Sequence, residues 1–147
     1  MSGRAALLEQ LVIKPVLTSL GIDSPAARQL LLGTAASETD FGEGIGDHIG
    51  IYGISSAQHR EVWDKHLAFM PELASKVRSL ASRDDFLKDP DAELRYNLAY
   101  GTAIAWLIYQ FHAESLPAEA SRESLADCWR RYFHWGEHRG WKLPAAA

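Results

Sequence analysis

The chain is poor in three features that would each narrow its class: cysteine, basic charge and long apolar runs. Cys128 is the single cysteine among 147 residues, so no disulfide forms within the chain and stability must come from the core. Lys and Arg total 15 against 19 Asp and Glu, and the net charge of -4 argues against a general nucleic-acid binder. No apolar run reaches the roughly 20 residues of a membrane span.

The N-terminal segment also lacks the pattern of a signal peptide. Its apolar residues are interrupted by Glu9, Gln10 and Lys14, which is typical of an amphipathic helix and not of an unbroken apolar region. We therefore expect no signal peptide and synthesis in the cytoplasm. Cys128 has no nearby base or glycine-rich turn, and we expect a packed, inert thiol.

Length and periodicity predict a single helical domain spanning 1–147. Apolar residues recur at steps of three and four along most of the chain, which indicates an all-α fold. The strongest boundary is Ser24-Pro25, which reads as an N-cap followed by proline and predicts a helix to about Thr39. Further helices are expected before Gly21 with a bend at Pro15, after Ser55 or Ser56, from Pro71, from Asp89-Pro90 as the longest helix, and through Leu125 to near Gly136.

A glycine-rich segment interrupts this helical pattern. Residues 42–50 hold four glycines in nine positions, which predicts a loop or a very short hairpin. The next four residues, Ile51 to Ile54, are expected to be extended. The segment lacks the Gly-Lys-Ser/Thr ending and the preceding strand of a phosphate-binding loop, so no nucleotide cofactor is expected.

Glu38 is the acid that this pattern singles out. It shares a helical stripe with Leu31 and Ala35 and precedes the glycine-rich loop. A buried carboxyl beside a loop can form the floor of a cleft and donate a proton, because desolvation disfavours its charged form. The structural alternative is a helix-terminal acid that pairs with an arginine or caps a loop amide.

These residues resemble those of soluble, lysozyme-like lytic transglycosylases over roughly residues 25–136. That family carries Ala-x-x-Glu-Ser, then Gly-Leu-Met-Gln, then Asn-Ile-x-x-Gly and finally Ala-Tyr-Asn. The corresponding segments here are Ala35 to Thr39, Gly50 to Gly53, Asn97 to Gly101 and Arg131 to Phe133. The Gly-Thr-Ala-Ala-x-Glu segment is also similar to small lysozyme-like proteins encoded by tailed phages.

The resemblance implies an all-α fold, or at most an α+β lysozyme-like one, with Glu38 in the catalytic position. It implies cleavage of the β-1,4 bond between N-acetylmuramic acid and N-acetylglucosamine, with no cofactor and no metal. Peptidoglycan glycan strands would be the substrate, and phage virion proteins are further expected partners. The substrate-binding residues it implies are Thr39, Tyr52, Gly53, Tyr100 and Tyr132.

Two departures from the family pattern motivate a different hypothesis. Gly53 stands where the family has a substrate-contacting glutamine, and Phe133 stands where it has an asparagine. Two polar groups that would hold the sugar are therefore absent. The alternative is a lysozyme-like scaffold without catalysis that serves as a virion or host-interaction protein; a third is a glycan binder that does not cleave.

Two smaller sets of residues remain open. Asp40, Glu43 and Asp47 follow Glu38 closely and could hold a water for a hydrolytic variant, although acids in such loops are usually solvated. His134 and His138 have a metal-chelating spacing, but Gly136 between them breaks helical geometry, so metal binding is not expected. Among the remaining histidines, the pair Asp47-His48 is the one close in sequence to Glu38.

Overall fold

The computed structural model describes residues 3–43, 48–81, 89–112, 121–134 and 140–142. The described residues form eight α-helices. A wider π turn follows the first of them, and another follows the fourth. The helices are α1 (Gly3–Leu8), α2 (Lys14–Ser19), α3 (Pro25–Thr39), α4 (Ser56–Glu61), α5 (Pro71–Leu80), α6 (Pro90–Tyr96), α7 (Leu98–His112) and α8 (Arg122–Tyr132). The all-α prediction is confirmed, and no described helix is long and apolar enough to cross a membrane.

The first helical stretch changes its winding immediately before Pro15. A π turn over Glu9–Ile13 joins α1 to α2, and the Lys14 amide bonds the Glu9 carbonyl five residues earlier. Proline has no backbone N–H to donate within a helix, and its ring crowds the carbonyl four residues earlier. A wider turn just before the proline relieves this crowding. The predicted bend at Pro15 is thus a π turn on its N-terminal side.

Helix α3 begins and ends where its sequence predicts. The Ser24 hydroxyl accepts from the Ala27 amide at 3.1 Å, and Pro25 is the first helical residue. Asp40 ends the helix in the left-handed conformation, with φ of 51°, and its amide bonds the carbonyls of Ala35 and Ala36. The helix is buried from Leu30 to Thr39, so its last turn, which includes Glu38, lies inside the protein.

The predicted longest helix is two helices, and this expectation was wrong at Asn97. Asn97 leaves the helical conformation at φ of -96° and ψ of 96°. Its side-chain Oδ1 accepts from the Tyr100 amide, while its Nδ2 donates to the Leu80 carbonyl and to Glu93. A side chain that caps the next helix and bonds two neighbours stabilises a break that apolar spacing alone does not reveal.

Helix α7 forms the centre of the hydrophobic core. Every residue from Tyr100 to Tyr109 is buried, and α7 contacts α2, α3, α5, α6 and α8 as well as both π turns. A helix that is apolar on all sides needs neighbours on all sides. Gly101 of α7 faces Tyr52 at ordinary contact distance, 3.9 Å from a Cβ built on the glycine.

The segment before α4 is a tight turn, and the expectation of an extended segment was wrong. Ile49 and Ile54 exchange backbone hydrogen bonds at 2.9 and 3.0 Å as an isolated antiparallel bridge. Residues 50–53 turn the chain between them, and the Gly53 amide bonds the Gly50 carbonyl. We call residues 49–54 the hairpin. Ser55 then caps α4 in a reciprocal arrangement with Gln58.

Two expectations fall on residues outside the described ranges. They concern the positions of Asp47 and His138. The last described helix ends at Tyr132, before Gly136.

Candidate functional site

The Glu38 carboxyl lies at the buried end of α3, where the sequence placed it. Its side chain is 7% exposed. The left-handed turn at Asp40 and Phe41 carries the chain away directly after it. A carboxyl at this depth requires hydrogen-bond partners, because an unpaired buried charge is costly.

Two side chains from the C-terminal part of the chain hold one oxygen of Glu38. Trp129 Nε1 of α8 donates to Oε2 at 2.9 Å, and His134 Nδ1 lies 2.8 Å from the same oxygen. The two rings also contact each other, with centroids 4.6 Å apart. The indole N–H can only donate, whereas the imidazole can donate or accept a proton, so the two partners differ in what they can do chemically.

Neither partner was predicted from the sequence. Trp129 and His134 lie 91 and 96 residues after Glu38. The apolar spacing around Trp129 indicated a core residue. The spacing of His134 and His138 indicated, at most, a weak metal ligand. The helix position of Trp129 is readable from periodicity, but the pairing depends on how α8 packs against α3, and no local pattern encodes that packing.

The hairpin closes over Glu38 from the other side through Gly53. Gly53 has a left-handed φ of 61°, and a Cβ built on it would lie 3.2 Å from the Glu38 Cβ and 3.4 Å from Oε1. The His48 Nδ1 lies 3.2 Å from the Gly53 carbonyl oxygen. The resemblance predicts a substrate contact at residue 53, and the structure places Gly53 against Glu38 with no side chain between them.

Thr39 connects the end of α3 to the hairpin. Its hydroxyl donates to the Ile51 carbonyl at 2.5 Å and accepts from the Gly42 amide at 2.9 Å. The side chain is buried. In this position Thr39 fixes the turn after Glu38, which is a supporting role beside the acid.

Tyr52 and Tyr100 lie in the core. Tyr52 donates or accepts a hydrogen bond with Thr102 at 2.8 Å, and burial raises its pKa well above the ordinary value. Tyr100 bonds His59 Nε2 at 2.6 Å and accepts from Trp63 Nε1 at 2.8 Å; burial likewise raises its pKa. Both hydroxyls are therefore engaged within the protein, where they stabilise the packing of the hairpin and α4 against α7.

Tyr132 and Phe133 lie at the end of α8, between Trp129 and His134 in sequence, but differ in environment. Tyr132 is half-buried at the last position of the helix. Phe133 is fully buried and stacks on Tyr109, with ring centroids 5.1 Å apart. Phe133 is therefore a core residue, and only Tyr132 of this pair retains exposed surface.

The described loop acids lie away from the Glu38 carboxyl. Asp40 is exposed, and Glu43 forms an ion pair with Arg4 at 2.6 Å on the surface. The Arg4 guanidinium lowers the Glu43 pKa through a hydrogen bond and its charge. Within the described ranges, no group of three or more metal-binding side chains occurs.

Cys128 fits the expectation of an inert thiol. It is buried on α8, one residue before Trp129. Burial raises its pKa to about 12, so the reactive thiolate is scarce at neutral pH.

No family model, curated protein or solved structure matches this chain. The site itself therefore has to indicate the function. Its distinctive feature is a buried carboxyl, one oxygen of which is bonded by an indole and an imidazole. The carboxyl lies next to Gly53 of the hairpin, which has no side chain.

Proposed function

We propose that the protein cleaves the glycan strands of peptidoglycan, with Glu38 as both acid and base. The observation that carries this proposal is the buried Glu38 carboxyl, which is positioned by Trp129 and His134 and lies against Gly53. A carboxyl held in a fixed orientation in a desolvated site is the group that glycosidic cleavage needs. The order of the sequence motifs supports the same reading.

In the proposed reaction, protonated Glu38 gives its proton to the oxygen that leaves the muramic acid. The resulting carboxylate then removes the proton of the muramic acid 6-hydroxyl, whose oxygen attacks the anomeric carbon. The product is a 1,6-anhydro sugar, and the proton returns to Glu38. One carboxyl serves both steps, so a second acid at the distance used by two-carboxylate glycosidases is not required. If water replaces the 6-hydroxyl, the same residue acts as a muramidase.

The two partners of Glu38 support this use of a single acid. Trp129 fixes Oε2 by donation in either protonation state, which keeps the carboxyl in place between the two steps. His134 Nδ1 can donate a hydrogen bond to the carboxylate or accept one from the protonated acid, so it can stabilise both forms. The predicted glycan contacts at Tyr132 and the main chain of Gly53 complete the proposed site.

The test is mass spectrometry of products from purified peptidoglycan incubated with wild type and with Glu38→Gln. The amide oxygen can still accept from Trp129, so we expect the variant to fold and cleavage to fall by about 10²-fold or more. Glu43→Gln is the matched control, because Glu43 pairs with Arg4 at the surface. Anhydro products from wild type and Glu43→Gln alone would support the transglycosylase, and reducing-end products the muramidase. Undiminished cleavage by Glu38→Gln would refute the proposal.

A second candidate is a lysozyme-like scaffold without catalysis, which takes part in a phage virion or binds a host protein. Gly53 offers no side chain to the site and Phe133 is buried, so both polar groups expected from the family are absent. This candidate predicts no product from folded wild type, together with stable self-association or a protein partner in sedimentation experiments. Saturable binding of chitooligosaccharides without cleavage would instead indicate a glycan-binding module.

A further inference from the structure

A second surface feature lies between the first helical stretch and the hairpin, and Glu38 is not among the described residues that line it. Leu7, Leu11, Phe41, Ile51 and Leu98 line a groove of about 680 Å³, which we call the apolar groove. Leu7 and Leu11 are 60% and 69% exposed. Contiguous exposed apolar side chains, unlike scattered ones, are typical of an interaction site.

Among the described residues, the charged side chains that line the apolar groove are basic. Arg4 and Arg95 both line it, and none of the described residues that line it is an acid. Each arginine forms one surface ion pair, Arg4 with Glu43 at 2.6 Å and Arg95 with Asp89 at 3.3 Å. Exposed ion pairs of this kind are weak, and a guanidinium has five N–H donors, so both arginines can bind a further anion.

The volume and the charge together indicate the occupant. Ligand pockets for small molecules span roughly 300–1,000 Å³ and combine an apolar lining with a few polar groups, which describes this groove. We propose that the apolar groove binds an anionic single-chain amphiphile, with the chain along the leucines and the acidic head at Arg4 or Arg95.

The groove shares a wall with the loop that follows Glu38. Thr39, His48 and Gly50 also line it, and Thr39 is the residue that ties the end of α3 to the hairpin. A ligand in the groove would therefore contact the hairpin, which places Gly53 against Glu38. The binding proposal does not depend on glycan cleavage, and it can be measured whether or not Glu38 is catalytic.

The experiment is isothermal titration of the full chain with laurate and with dodecyltrimethylammonium, each below its micelle concentration. The two probes share a twelve-carbon chain and differ in head charge. We expect saturable binding of one laurate per chain and about tenfold weaker binding of the cation. Equal binding of both probes, or no saturable binding of laurate, would overturn the proposal.

Matched variants separate the groove from general surface effects. Leu11→Asn should weaken laurate binding by about tenfold, whereas Phe69→Asn, at a 78% exposed residue outside the groove, should not change it. Arg95→Gln should likewise weaken binding, in contrast to Arg131→Gln, whose arginine pairs with Asp127 on α8. Equal effects within either pair would contradict the assignment. A dimer abolished by Leu11→Asn would identify a second copy as the occupant and also overturn it.

Discussion

At the scale of single residues, Gly53 is the position that distinguishes this site from the family it resembles. The departure from the family's glutamine is more than the absence of a polar group, because residue 53 has a left-handed backbone and a Cβ there would lie 3.2 Å from the Glu38 Cβ. A side chain here would meet both conformational strain and the carboxyl itself. The hairpin therefore packs against the acid with little room for a side chain at residue 53.

Gly53→Ala and Gly21→Ala form a matched pair that tests the close packing of residue 53 against Glu38. Both glycines have left-handed φ values, 61° and 77°, so each substitution should cost about 1–2 kcal/mol of unfolding free energy through strain. A Cβ at Gly21 meets no atom within 4 Å, whereas one at Gly53 lies 3.2 Å from Glu38. We expect the larger loss for Gly53→Ala in urea unfolding.

Equal losses for the two variants would show that the hairpin can move away from Glu38 at no cost. In that case the contact between residue 53 and the acid would not constrain the carboxyl. The comparison needs no assumption about catalysis, because only stability is measured.

At the scale of elements, the position of α3 was predictable, but the partners of Glu38 at its C-terminal end were not. Ser24 and Pro25 mark the start of α3 by local chemistry, and the apolar stripe gives its buried face. The break at Asn97 escaped prediction because the same apolar period continues on both sides of it. The contacts of Glu38 with Trp129 and His134 depend on helix packing across the molecule, which a single sequence does not reveal.

The contact between α3 and the described C-terminal residues 140–142 can be tested with Gly33→Ala. A Cβ at Gly33 would lie 2.1 Å from the indole of Trp141, so the buried ring would have to leave its place. Alanine stabilises a helix by about 1 kcal/mol over glycine, and displacing a buried tryptophan costs about 3–5 kcal/mol. We expect a net destabilisation of about 2–4 kcal/mol, with a red shift of tryptophan fluorescence.

Gly140→Ala is the control, since a Cβ there meets nothing within 4 Å. A second comparison uses Trp141→Ala as the background, in which Gly33→Ala should no longer destabilise the protein. Additive losses in that double-mutant cycle would mean that the Gly33 contact with Trp141 is not the cause.

At the scale of the whole molecule, a buried histidine makes stability depend on pH. His59 is buried on α4; its Nδ1 bonds Asp91 at 2.9 Å and its Nε2 bonds Tyr100 at 2.6 Å. Burial lowers the His59 pKa from its ordinary 6.5, partly opposed by Asp91. Just below pH 6.5 the unfolded chain therefore binds more protons at this residue than the folded chain does.

Stability should consequently fall as the pH drops from about 7 to about 5. Urea unfolding across this range measures the slope for wild type and for His59→Asn, in which we expect a shallower dependence. His66→Asn is the control, at a half-buried histidine that bonds Gln110. An unchanged slope in His59→Asn would assign the pH dependence to other groups.

The π turn after α1 has a consequence for how the first helical stretch is oriented around its axis. One extra residue within a turn sets the angular phase of α1 back by about 100° relative to α2, the rotation of one α-helical residue. This offset gathers Ala5, Leu8, Val16 and Leu17 into a narrow buried arc. Leu7 and Leu11 lie outside that arc, where they are 60% and 69% exposed.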